Sequence, residues 1–195
     1  MKKLPRSFYT RPTLLVAKDL LGKILVRQIG KIVLAGTIVE VEAYLGSKDP
    51  ASHAYRGKTK RNEVMFHEGG HLYVYFTYGM HFCANVVTGK EGVAEAVLIR
   101  AVEPLEGIEA MRKNRRFKAN RVDEVTISNG PAKLCQAFRI GREQNGTDLL
   151  GAEIFLIAEK PIPKSSIGAS PRIGIAKAKE HLWRFFVKGN RWVSR

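Results

Sequence analysis

Only two cysteines, Cys83 and Cys135, occur among the 195 residues, and they lie far apart with no C-x-x-C pair. The chain therefore has no disulfide framework to read, and reduced thiols are expected. Long apolar runs are also missing. No stretch approaches the roughly 20 apolar residues of a membrane span. The amino-terminal MKKLPRSFYT carries charge without the apolar core of a signal peptide. A soluble intracellular protein is expected. Internal repeats, low-complexity tracts and long linkers are absent too, so residues 1–195 are expected to form one domain.

Acids are the scarcest charged class. They number 18 against 33 Lys and Arg, a net charge of +15. Such an excess attracts polyanions through phosphate neutralisation and counterion release, with nucleic acid the default partner ahead of ribosomes or anionic membranes. The hydrophobic fraction of 45% is enough for one sizeable core.

Two stretches imitate motifs of other chemistries. His67-Glu68-Gly69-Gly70-His71 matches H-E-x-x-H, whose zinc chemistry needs both imidazoles on one helical face with the Glu handling a water. Two glycines cost a helix interior roughly 0.8–1 kcal/mol each relative to Ala. The residues that follow, LYVYFT, have strand composition, so a glycine turn entering a strand explains the letters better. Arg56-Gly57-Lys58-Thr59 imitates a phosphate-binding loop, but the glycine required five residues before Gly57 is Ser52. What remains is a basic loop, 56–62, which is either an ordinary solvated loop or a contact for a phosphate backbone.

Residues 19–22 close a short amphipathic helix. Strands are expected at 24–26 and 35–43 around a turn containing Gly30 and Lys31, at 72–77 and 80–87 around Tyr78-Gly79, and at 94–102, 154–157 and 183–187. Leu105, Ile108 and Met111 recur at helical spacing after Pro104, and a second helix is expected to start at Ser128-Asn129-Gly130-Pro131, with proline in its first turn. The fold class is α+β, one compact domain with a largely antiparallel sheet.

Two segments carry candidate chemistry. Strand alternation sets Leu72, Val74 and Phe76 on one face and Tyr73, Tyr75 and Thr77 on the other. The tyrosines either cover a core edge or line a site. At the tip, Tyr78 and Met80 are large and apolar where hairpins usually expose small polar residues; side chains of this kind can wedge between base steps. In the second segment, alternation puts Ile38, Glu40, Glu42 and Tyr44 on one face and Val39, Val41, Ala43 and Leu45 on the other. This is either a solvated polar face or a site where a carboxylate near a polyanion activates water.

VEAYLG followed by His53, then LYVYFTYGMHFCAN, VLIRAVEPLEGIEAMR, NGPAKLCQA and the closing RFFVKGNRWVS resemble, in order and over nearly the whole chain, the alkyladenine (3-methylpurine) DNA glycosylase family. The resemblance implies a monofunctional enzyme that flips a damaged purine from duplex DNA and hydrolyses its N-glycosidic bond. It implies no cofactor and no metal, a monomer without a membrane partner, and a curved sheet like that of the methionyl-tRNA formyltransferase carboxyl-terminal domain. The expected location is the cytoplasm or nucleoid of a bacterium, or the nucleus of a eukaryote. Glu42 matches the water-activating carboxylate and Arg100 the arginine beside it. Tyr44, His53 and Tyr75 match groups that enclose the base, and Asn85 an asparagine at the pocket floor that disfavours guanine. Tyr78 matches the residue that fills the gap in the duplex. His81 departs from the tyrosine of a relative.

Arg112, Lys113, Arg115, Arg116, Lys118 and Arg121 form a basic run of single sign. Arg115 matches a basic family position, and Lys133 follows a helix start; both are expected to contact DNA phosphates. A non-catalytic nucleic-acid-binding module would account for charge and aromatics while leaving Glu42 unexplained. A zinc deaminase would need a His/Cys ligand set that Cys83 and Cys135 do not supply.

Overall fold

The computed structural model describes residues 2–116 and 123–194. Lys118 and Arg121 of the basic run lie outside the described residues. Strands β1 (Ile24–Ile29), β2 (Ile32–Tyr44), β3 (Leu72–Thr77), β4 (His81–Thr88), β5 (Glu95–Glu106), β6 (Ile154–Ile157), β7 (Ile167–Ser170) and β8 (Arg184–Val187) form one sheet. Its main path runs β3-β4-β5-β2-β1-β6, with β8 pairing to both β2 and β7. Every pairing is antiparallel. The described helices are short: α1 (Arg6–Tyr9), α2 (Thr13–Leu20), α3 (Ile108–Asn114) and α4 (Pro131–Ala137). The architecture is α+β, as the order of elements in the sequence implied.

β2 organises the sheet because it is long enough to serve three partners. Its first half pairs with β1 and its second half with β8, while β5 runs along its other edge. α2 packs against β2 and β5, and α4 against β4 and β5. The main core lies on this helical side, where Leu72, Val74, Val97, Ile99 and Leu134 are buried together. A smaller apolar cluster, with Tyr73, Val87 and Ala96, lies apart from it. Leu72 and Val74 thus part from Tyr73 and Tyr75 as strand alternation requires.

Alternation breaks down on β2. Ile38, expected on the face of the glutamates, is buried in the same core cluster as Val39, Val41 and Ala43. The cause is an irregular register with β5: Ile38 pairs Val102, Glu40 pairs Ala101 and Val41 pairs Ile99, so Val39 on one strand and Arg100 on the other are skipped. Bulges of this kind re-aim side chains and increase local twist. Here two successive core residues, Ile38 and Val39, precede the two glutamates. Leu105, read as the start of a helix, instead belongs to β5 and is exposed. The helix begins at Ile108, after Gly107 in the left-handed region at φ 75°. α4 does begin with proline, at Pro131. β7 was not anticipated, being only four residues long.

The H-E-x-x-H segment is not helical; it is a bend that runs into β3. Gly70 has φ +99°, and a Cβ on Gly69 would lie 2.7 Å from the Tyr9 carbonyl oxygen and 3.0 Å from that of Gly89. Glu68 faces Arg6 at 3.7 Å. Backbone crowding and turn geometry therefore account for the glycines. Gly69→Ala is expected to destabilise the fold by about 1–3 kcal/mol, the usual cost of overpacking. Chemical denaturation checks this, and an unchanged midpoint would contradict the crowding.

Candidate active site

Glu42, near the end of β2, pairs with Leu98 of β5, and Leu98 in turn pairs with Asn85 of β4. Asn85 pairs with Tyr73 of β3. This row of neighbours floors a cavity of about 530 Å³, a size suited to a small ligand or a base. Glu42, Tyr44, His53, Tyr75, Tyr78, Asn85 and Arg100 all line it. Seven of the residues singled out in the sequence therefore converge on one place.

The carboxylate at the centre is completely buried, as is Glu40 two residues earlier. A solvated polar face is thereby ruled out for both. Burial of two like charges is tolerable only with cations and hydrogen bonds in place. Arg100 supplies the link: its Nε donates to Glu40 Oε1 at 2.8 Å and its Nη1 lies 3.1 Å from Glu42 Oε1. Burial alone would lower the Arg100 pKa, but Glu42 and Glu40 outweigh it and the net shift is upward, so the guanidinium stays charged. Glu40 also accepts from Arg184 Nε at 2.6 Å, from the Ser194 amide at 2.6 Å and from Ser194 Oγ at 2.8 Å. Arg184 Nη2 donates to the Ser194 carbonyl at 2.9 Å. Glu40 thus has four donors, three on Oε1 and one on Oε2, and it does not line the cavity.

Glu42 is held differently. Its Oε1 accepts the Ile173 amide at 2.8 Å as well as facing Arg100, and its Oε2 accepts the Tyr44 hydroxyl at 2.8 Å. A carboxylate oxygen has two acceptor directions. Oε1 thus has the Ile173 amide as its hydrogen-bond donor with the Arg100 cation beside it, and Oε2 has the Tyr44 hydroxyl, which leaves Glu42 acceptor capacity for a further donor such as water.

The walls are aromatic. His53 and Tyr75 meet edge to face at 4.5 Å between ring centroids, and Tyr75 lies 5.6 Å from Tyr73. His53 Nδ1 and the Tyr73 hydroxyl share a hydrogen bond of 3.0 Å. Desolvation by its packed ring neighbours, with Arg61 adding to it, pushes the His53 pKa down, although the residue keeps an exposed edge. Burial raises the phenol of Tyr44, reinforced by Glu42, and that of Tyr75, reinforced by Cys83; Tyr73 rises to about 12. These hydroxyls stay protonated and can donate. Asn85 is buried and its Nδ2 donates to the Tyr73 carbonyl at 3.1 Å.

The β3–β4 hairpin projects its tip beside the cavity. Tyr78 is 81% exposed and Met80 70% exposed. Tyr78 also has φ 49°, uncommon for a residue other than glycine. Met80 does not line the cavity. Neither do Arg115 and Lys133, although Pro131, at the start of α4, does. Arg115 bonds Gln136 and the Thr126 carbonyl, and Lys133 Nζ donates to Asn129 at 2.8 Å. Burial and the nearby Arg115 lower the Lys133 pKa. The basic loop 56–62 is exposed up to Asn62, whose buried side chain bonds the His53 and Gly57 carbonyls.

Several residues of the site escaped the sequence reading: Glu40 as a structural ion, Arg184, Ser194, Ile173 and the Arg172–Asp49 pair. Their partners lie far away in sequence, and only the strand face shared by Glu40 and Glu42 hinted at any of them. Among the described residues, no group of three or more His, Cys, Asp or Glu side chains is placed to hold a metal ion.

The sequence that builds this site has relatives among known proteins. The profile of the methylpurine-DNA glycosylase family matches residues 7–191. A candidate 3-methyladenine DNA glycosylase of Carboxydothermus hydrogenoformans is 52% identical over 193 residues, covering 98% of each chain. One of Clostridium acetobutylicum is 49% identical over 201 residues, covering 98% of this chain and 97% of its own. One of Chlorobaculum tepidum is 48% identical over 196 residues, covering 100% and 92%. The chain belongs to the methylpurine-DNA glycosylase family.

Proposed function

We propose that residues 1–195 act as a single-domain, monomeric and monofunctional DNA glycosylase, which flips an alkylated or deaminated purine out of duplex DNA and hydrolyses its N-glycosidic bond. The substrate class is 3-methyladenine, 7-methylguanine, ethenoadenine and hypoxanthine. The observation that carries the reading is a fully buried Glu42, held by two hydrogen-bond donors and the Arg100 cation and with acceptor capacity left, at the floor of a cavity walled by aromatic rings. On the same reading, the fold is that of the methionyl-tRNA formyltransferase carboxyl-terminal domain.

Cleavage of the bond builds positive charge on the sugar. A preorganised carboxylate stabilises that charge without reorganising water, and it can take the proton of the attacking water. Arg100 keeps the carboxylate ionised and fixes its direction. Tyr44 and Tyr75 stack on the base, and a cationic alkylated ring gains about 0.5–2 kcal/mol over an aromatic face. Weaker pairing of a damaged base lowers its extrusion cost, a second filter. Asn85 at the floor disfavours guanine. Tyr78 and Met80 fill the space left in the duplex, which their exposure at the hairpin tip supports. Arg115 and Lys133 hold phosphates of the DNA backbone.

Glu42→Gln keeps the shape and removes the base. It is expected to bind lesion DNA within a few-fold of the native protein and to lose single-turnover excision by about three orders of magnitude. Near-native excision would overturn the assignment. The hydrolytic route has its own test, because a lyase needs an unprotonated amine that forms a Schiff base with the sugar. None of Tyr44, His53, Tyr75 and Asn85 can form one, which leaves Lys177, the lysine that lines the cavity, as the amine the test must exclude. The product is expected to be an intact strand with an abasic site, cut only by added alkali, with no adduct trapped by borohydride. A trapped adduct mapped to a lysine near Glu42 would replace water by an amine as nucleophile.

A further inference from the structure

Arg172 is completely buried, yet it does not line the cavity. Its contacts converge on one residue of the site. Nη1 donates to the carbonyl of Ala43, the residue before Tyr44, at 2.9 Å. Both Nη atoms bond Asp49, with Nη2 at 2.8 Å from Oδ1. Asp49 in turn accepts the amide of Leu45, the residue after Tyr44, at 3.3 Å, and that of Ala51 at 3.0 Å. The guanidinium carbon lies 4.6 Å from the centroid of the Tyr44 ring and 5.0 Å from that of Trp183, whose ring stacks on His181 at 4.0 Å. Ile173, the next residue along the chain, donates its amide to Glu42.

Resting on Glu42 as the reactive carboxylate, we propose that Arg172 is a positioning residue for the excision reaction. It grips Tyr44 through the peptide before it, the amide after it and the face of its ring, so that the Tyr44 hydroxyl points at Glu42 Oε2. It also anchors the segment that brings the Ile173 amide to Oε1. The Tyr44 hydroxyl and the Ile173 amide, which hydrogen-bond Glu42, are therefore both set through Arg172, while Arg100 faces the carboxylate as its cation. A planar guanidinium can hold a carboxylate by two bonds, reach a carbonyl and lie flat between rings; an ammonium cannot do all three.

The test is Arg172→Lys, which keeps the charge facing Asp49. Single-turnover excision is expected to fall about 10- to 100-fold, while affinity for lesion DNA changes by less than about threefold. In a Tyr44→Phe background, which lacks the hydroxyl, the same substitution is expected to cost at least about threefold less than in the native background, since the two residues act in one chain. Native excision by Arg172→Lys would overturn the proposal, and so would full additivity with Tyr44→Phe, which marks a merely structural role. If Arg172→Lys does not fold, Trp183→Leu removes only the outer ring from a half-buried position; excision lowered about threefold or more at unchanged affinity is expected, and unchanged excision overturns the proposal. Glu42→Gln in the same assay separates the two ideas. An active Glu42→Gln removes the underlying reading, whereas an inactive Glu42→Gln beside an unimpaired Arg172→Lys removes only the role of Arg172.

Discussion

One guanidinium bridges two buried carboxylates, and the rest of the structure is arranged to make that possible. Arg100 reaches Glu40 with one edge and faces Glu42 with another, all three side chains being at most 9% exposed. Taking such ions out of water costs several kcal/mol each, and the loss of one partner from a buried pair costs about 3–5 kcal/mol because a charge is then left alone. The protein meets this constraint by balance. Arg184 neutralises Glu40 from β8, Arg100 serves both acids, and Arg172 neutralises Asp49 alongside. Fold and site are consequently one design problem: β2 must be long, β5 must bulge at Arg100, and β8 must close on the second half of β2.

This arrangement separates two carboxylates that look equivalent in sequence. Glu40 has four donors from Arg100, Arg184 and Ser194 and is a fixed counter-ion. Glu42 has fewer donors and opens onto the cavity. Each acid accepts a single hydrogen bond on Oε2 and keeps acceptor capacity there, but only Glu42 lines the cavity. The difference between the two acids is thus made by their neighbours and by which of them lines the cavity. It also explains how a chain of net charge +15 can carry acids at its centre: the acids of the site are matched internally, and the excess cations are left to face a polyanion.

Much of this was legible because period-two patterning survives wherever the ladder is regular. The β3–β4 hairpin, the side chosen by Tyr73 and Tyr75, the exposed Tyr78 and the proline start of α4 all follow from local rules. Patterning failed where a bulge interrupts it, at Ile38, and where a strand outlasts its apolar run, at Leu105. The ionic cage was illegible for another reason. Glu40 meets Arg184 and Ser194 from more than 140 positions away, and Asp49 meets Arg172 from 123 away, so no local window contains both partners. Glu42 and Arg100 were found through family motifs rather than through charge, since an exposed and a buried glutamate read the same in sequence.

The central claim is that Glu42 meets the positive charge that develops on the sugar. Transition-state complementarity means that a stable cation placed at that point should bind more tightly than its neutral counterpart. The measurement is the affinity for two duplexes that differ at one nucleotide, one carrying a cationic pyrrolidine in place of the sugar and the other a neutral tetrahydrofuran. The native protein is expected to prefer the cation by about 100-fold or more, and Glu42→Gln to lose most of that preference. An equal preference in native and Glu42→Gln proteins would place the stabilising charge elsewhere and contradict the account.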